Sequence, residues 1–397
     1  MLPLVLHDCP RLGLCLLLPV AGVSCSPPPA PRPTRDRVPI AMHQAAPAPP
    51  APSADALASP DCRHPSLEWV ARDLEAPVRS VAAAGAGVVY LGSRHHLFRS
   101  VDYGQSFTQL GLAVRAARPD PQADEMGPFE VGCAEGTRIL VRTSSQLFGS
   151  FDRGETWSLL VAPKDPPDGP GGTPMPVEHL WCHGNHVFLA ALNGLVYHSP
   201  DAGRSWSFWN SNTGGAVHAL GGGSAGDLYV VMRGVDVFYS PDLTPSFESR
   251  SSVGRFLKGD SSVLAVAGTA RGHGLLLTSE SLLLTEDGAV TWNPIRLGWP
   301  LRALAAGRGG DLSAVGRRPV RSFDGGDSWY EEPVSVGPPA PHVPAPYRTQ
   351  LVTLTAVARA GIEGYAVGRR CSSHACDDAH AVVAVARPRD PACAGPP

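Results

Sequence analysis

The chain has 397 residues and a net charge of −3, with 43 glycines, 41 prolines and only 17% charged residues. That composition leaves little material for long polar helices and favours many short strands joined by Gly/Pro turns. The small net charge gives no face that would attract a phosphate backbone, which argues against nucleic-acid binding.

The first element in chain order is an export signal. Arg11 precedes the apolar run "LGLCLLLPVAGVSC", Leu12 to Cys25, which is too short to span a bilayer. The ending "GVSC" is similar to a bacterial lipobox, with Gly22 where a large aliphatic is preferred. The signal region is expected over residues 1–25, and two readings stand: Cys25 carries a lipid that tethers the protein to the cell envelope, or the protein is freely secreted. Residues 26–60 are dominated by Pro and Ala with no periodic apolar face, the composition of an extended tether. The remaining chain, 61–393, is expected to form one domain.

Six octets then recur: "SVDYGQSF", "SFDRGETW", "SPDAGRSW", "SPDLTPSF", "TEDGAVTW" and "SFDGGDSW". Their aspartates are Asp102, Asp152, Asp201, Asp242, Asp287 and Asp324, at gaps of 50, 49, 41, 45 and 37 residues. The pattern predicts tight hairpin turns. Asp and Ser/Thr side chains accept from backbone N–H groups that the turn leaves unpaired, Gly supplies positive φ, and the final Trp or Phe buries its ring. Thr244 and Ala289 replace the Gly, so those two turns are expected to be distorted.

Each octet follows a pair of apolar strands and a shorter apolar segment, so every unit holds four short antiparallel strands. Such units, 40–50 residues long, make a propeller blade. A seventh unit, from Thr353 to Pro388, lacks an octet. Residues 67–72 are predicted to complete it by pairing alongside 380–387. The fold class is therefore all-β, a seven-bladed propeller closed by strands from both chain ends.

The octets resemble the Asp-box, or BNR, repeat of β-propellers such as sialidases, sortilin-type receptors, xyloglucanases and photosystem II assembly factors. The resemblance covers residues 67–388 and implies fold more than function. A sialidase-like glycoside hydrolase would carry an arginine cluster and an F/Y-R-I-P motif. The sequence offers only "RRPV" at Arg317, with Arg79 and Arg302 at equivalent blade positions. The favoured expectation is an exported, non-enzymatic binding or assembly module, monomeric, with no cofactor and an unidentified protein or glycan ligand. The hydrolase is the alternative.

Three further features bear on function. "GGSAG", Gly222 to Gly226, matches G-x-S-x-G, but the strand-to-helix context of a nucleophile elbow is missing, so Ser224 reads as a loop residue. Cys371, His374, Cys376 and His380 have zinc-like spacing, although in an exported protein a Cys371–Cys376 disulfide is favoured and no metal is expected. Aligned first strands give the column Arg79, Glu130, Glu178, His218, Leu264, Arg302 and Thr355. This marks a polar ring at a channel mouth for binding, against the plainer reading of mutual charge pairing around water. The long loop Asp165–Pro176 joins the second and third blades, either arching over one face or serving as a disordered connection. Cys133–Cys182 and Cys62–Cys393 are the other disulfide candidates.

Overall fold

The computed structural model describes residues 67–74, 77–110, 129–143, 146–161, 177–210, 215–233, 235–258, 261–307, 310–338, 343, 352–360, 363–371 and 379–388. The export segment with Cys25, the tether, Cys62, His374, Cys376, Cys393 and the Asp165–Pro176 loop lie outside the described residues.

Seven sheets follow one another along the chain, six antiparallel sheets of four strands and one of five with a single parallel pair. In each, the first strand of the unit stands at one end of the sheet order. These first strands are Val78–Gly85, Glu130–Glu135, Val177–His183, Val217–Gly222, Val263–Ala270, Leu301–Ala306 and Val352–Ala360, for blades 1 to 7. Second strands are the most buried: Val88–Ser93 and Leu228–Met232 are covered on both faces. They accordingly read as unbroken apolar runs rather than alternating ones. Apolar side chains gather in seven clusters, one for each seam between neighbouring blades. The core is thus a ring of seams.

The ring closes in the last blade. Leu67–Asp73 lies antiparallel to Ala379–Pro388, in a register running from Leu67↔Pro388 to Asp73↔Val382. A fifth strand, Val334–Val336, runs parallel outside it, with Trp69 opposite Val334. The closing strand is therefore interior to its sheet. Trp69 is fully buried and donates its indole N–H to Glu332 at 2.6 Å. One strand away, Arg370 grips Asp73 by two bonds of 2.7 and 3.1 Å, both side chains only 1% exposed.

The octets sit on the third-to-fourth strand turns and follow one hydrogen-bond scheme in five cases. In the second, Ser150 Oγ donates to Asp152 at 2.7 Å and accepts from Gly154 N–H at 2.7 Å, while Asp152 accepts from Thr156 N–H at 2.9 Å. The fourth residue donates its N–H to the first hairpin turn of the same blade: Tyr103 to Gly87, Arg153 to Thr137, Ala202 to Asn185, Gly288 to Gly272 and Gly325 to Gly310, at 2.8–3.0 Å. The octet staples two turns of its blade together. Trp157, Trp206 and Trp329 cap it by donating to the Gly carbonyl at 2.9–3.1 Å.

The expectation about the two irregular octets holds for one of them. At Asp242 the turn collapses: Ser240 donates to the Thr244 carbonyl and Asp242 accepts from the Thr244 hydroxyl at 2.7 Å. At Asp287 the standard bonds survive, with Ala289 N–H on Thr285 at 3.0 Å. Fourth and fifth positions both need positive φ, and there Gly288 takes one while Ala289 accepts φ 70° in the other.

Two outcomes are expected. Removing one member of a buried, doubly bonded ion pair strands its partner, so Asp73→Ala should cost about 3–5 kcal/mol by denaturant unfolding. The double variant Asp73→Leu/Arg370→Leu should lose much less than Asp73→Ala does. Hydrogen bonds from Thr156, first its hydroxyl and then its N–H, with Ser150 adding, hold the Asp152 carboxyl down at about 2. Its contribution is complete above the ordinary carboxylate range and is lost as pH falls through that depressed value. Asp152→Asn should therefore flatten the acid limb of a thermal-stability profile, and Asp152→Ala should lower Tm at neutral pH more than Asp242→Ala.

Candidate functional site

Each first strand carries a register shift that leaves one residue unpaired: Arg79, Gly132, Glu178, His218, Leu264, Arg302 and Thr355. The aligned column is thus a ring of β-bulges in six blades. Glu130 is not its blade 2 member; Gly132 is. Glu130 instead lies two residues earlier, ion-paired with Arg142. Arg79, Gly132 and Arg302 are exposed, the others half-buried. They sit in the first half of each strand.

Two cavities open beside the second half. One, of about 390 Å³, is lined by first strands of all seven blades, including Ala83, Cys133, His179, Leu220, Val266, Ala305 and Arg359. The other, of about 450 Å³, lies where these strands enter their hairpin turns and shares Ala83, Ala134, Trp181, Cys182, Gly222, Ala306 and Arg359 with it. Together they form the channel and its turn-end mouth. Of the sequence-derived ring, only Leu264 lines either one. Ser224 is at the mouth, exposed on a hairpin turn.

The mouth is walled by small residues except at Glu135, Trp181, His183 and Arg359. Trp181 projects from blade 3 with the His183 ring parallel to it, 9° between planes and 6.2 Å between centres. A Cβ on Gly222 would come within 2.8 Å of the indole, so glycine there is what lets the ring lie against blade 4. Arg359 enters from blade 7 and Glu135 from blade 2. Beside Trp181, Cys133 and Cys182 are joined as a disulfide across the blade 2–3 seam, with Cα atoms 6.0 Å apart. Cys371 is also disulfide-bonded.

Behind the wall lie buried polar pairs at equivalent positions in three blades. A residue at the start of the second strand and the residue before the octet Ser meet as His186–His198, Asp227–Tyr239 and Asp311–Arg321. Asp311 is held by Arg321 at 2.9 and 2.9 Å and by Arg359 of the next blade at 2.6 Å. Next to Asp227 of blade 4, the place of Arg359 is taken by Gly268 of blade 5, each residue standing four positions past its strand's bulge. Asp227 accepts from Gly272 N–H at 3.1 Å and from the Tyr229 and Tyr239 hydroxyls at 3.4 Å, all through Oδ2. Its Oδ1 has no hydrogen-bond partner among the described residues. Burial raises the Asp227 carboxyl above its ordinary value and pushes the Tyr239 hydroxyl up to about 12. Burial also drives His179, in the channel, down to about 4, so it is neutral at physiological pH.

Sequence reading missed Trp181, His183, Asp227 and Arg359. The signal was present: first strands end "AAAG" in blade 1 and "LGGG" in blade 4, but "LWCHG" in blade 3.

No protein-family model and no curated protein matches the chain. Solved structures do. YCF48 bound to D1 peptide aligns with TM-score 0.55 at 15% identity, over 80% of this chain and 96% of that one. YCF48 from Cyanidioschyzon merolae gives 0.53 at 14%, over 81% and 99%. A GH74 xyloglucanase from Xanthomonas campestris gives 0.51 at 17%, over 76% of this chain and 53% of that. At these identities the likeness establishes the seven-bladed propeller fold and nothing finer.

Asp227 yields a pH-dependent expectation. Its folded value is raised, so its favourable contribution is complete below the unfolded carboxyl value of about 3.9 and is lost as pH rises through the folded one. Asp227→Asn keeps an acceptor for Gly272 and removes the ionisation. Its Tm should exceed wild type at neutral pH, with a gap that shrinks toward acid. A gap of constant size across the titration would contradict the assignment.

Proposed function

We propose that the chain is an exported, non-enzymatic binding or assembly module, an Asp-box propeller that takes a protein or glycan ligand. The observation that carries this reading is the engagement of the interior charges. Arg142 is bound to Glu130, Arg321 and Arg359 to Asp311, and Arg370 to Asp73. A sialidase-like site needs arginines converging on a substrate carboxylate, and these four are committed to carboxylates of the protein. The bulge ring, with exposed Arg79 and Arg302 on blades 1 and 6, is the contact surface for a partner protein, because bulges re-aim side chains away from the ladder. The fold shared with YCF48 bound to D1 peptide is consistent with a protein ligand. The apolar run Leu12 to Cys25 supports a location in the bacterial envelope, lipidated at Cys25, or outside the cell.

The full chain, expressed with its own leader in a bacterial host, should be recovered from envelope or medium. It should retain a saturable partner from envelope extract and lose it on Arg79→Glu/Arg302→Glu. It should leave fluorogenic sialosides and xyloglucan oligosaccharides intact. Saturable hydrolysis of either substrate, abolished by substitution in the channel, would establish the enzyme instead.

A further inference from the structure

Resting on the binding-module reading, we propose that the turn-end mouth of the channel is a site for a neutral saccharide, one pyranose ring stacked on Trp181. Its volume of about 450 Å³ falls in the range of small-ligand sites and is too small to seat a folded partner. Blades 1 and 6 meet it with alanines and glycines only, and blade 2 adds Glu135 to Ala134, so Trp181 is the one indole on a mostly small-residue wall. The Trp181 and His183 rings lie parallel, 9° between planes, and the indole is a flat apolar plate of the kind that takes the C–H face of a sugar ring.

The polar groups fit the same ligand. The indole N–H groups of Trp69, Trp157, Trp206, Trp292, Trp299 and Trp329 all have protein acceptors. That of Trp181, alone among tryptophans in the channel wall, has none among the described residues, and it remains available to a ligand hydroxyl. First strands pair on one side only, so their free edges supply alternating N–H donors and C=O acceptors. A polyol uses both, and Ser224 adds a hydroxyl at the rim. Charge argues for neutrality: Arg359 is matched by Asp311 at 2.6 Å and Glu135 by Arg138 at 3.1 Å. Among the described residues, both charged side chains that line the mouth thus have an opposite charge beside them.

Calorimetric titration of the full chain with cellotriose, maltotriose, mannotriose and chitotriose tests the assignment. At least one trisaccharide should bind with millimolar affinity or better. Trp181→Ala should weaken it about tenfold or more, the scale of a lost aromatic stack with its hydrogen bond. Trp209→Ala, outside the channel wall, should not weaken it. Trp181→Leu keeps apolar bulk for the fold but lacks the π-face and N–H, and should lose binding too. Three results overturn the proposal: no trisaccharide binds, Trp181 and Trp209 variants behave alike, or adenosine or an uncharged peptide binds through Trp181 while the sugars do not. If the sugars fail and the Arg79/Arg302-dependent partner is still retained, the site assignment falls and the binding-module reading stands.

Discussion

Pairing of Leu67–Asp73 with Ala379–Pro388 is the constraint on which the molecule depends. Seven sheets can enclose a channel only if the first and last meet, and a sheet edge left open invites pairing with other chains. The closing strand is secured from three directions. Val334–Val336 flanks it, Trp69 is anchored to Glu332, and the Arg370–Asp73 pair lies across the neighbouring strand. Glu332 and Asp311 also draw in Arg321 and Arg359, so closure and the channel wall share one polar network.

Within five blades the octet does a local version of the same work, joining two turns that the ladder alone leaves apart. Between blades, small residues set how closely sheets approach. Cβ atoms on Gly223 or Gly268 would meet backbone at 2.7 Å, and the blade 4–5 seam closes only because both are glycine. The same closeness excludes the arginine that neutralises Asp311 one seam pair away. Asp227 is left with a buried oxygen unmatched, an instance of polar satisfaction yielding to packing.

The architecture was legible because its signals are local and repeated: octet chemistry, strand alternation and spacing. Closure was legible because Leu67–Asp73 has no partner within its own unit. The fifth strand was not, since "PVSV" reads equally well as a connection. The ring residue of blade 2 was misplaced because Pro128 suggested the register of Pro77, whereas the bulge falls two residues later, at Gly132. Asp227 and Asp311 share the local pattern Asp-Leu at the start of a second strand. What separates them is a side chain supplied by the next blade, which no local pattern records. Ala289 was misjudged because the glycine beside it could take part of the strain.

The closing pair also fixes an order of events during synthesis. Leu67, Trp69 and Ala71, each 1% exposed or less in the closed ring, leave the ribosome before any of blades 1 to 6. Their partner strand, Ala379–Pro388, is made after all of them. For most of translation, and of any passage through a membrane as an extended chain, these apolar residues have no strand to pair with. Pairings this distant in sequence form late and slowly, and an unpaired apolar segment in the meantime is open to association with other chains. A fold whose last act is to join its two ends therefore calls for an attendant, or a favourable compartment, at the start of its life rather than at the end.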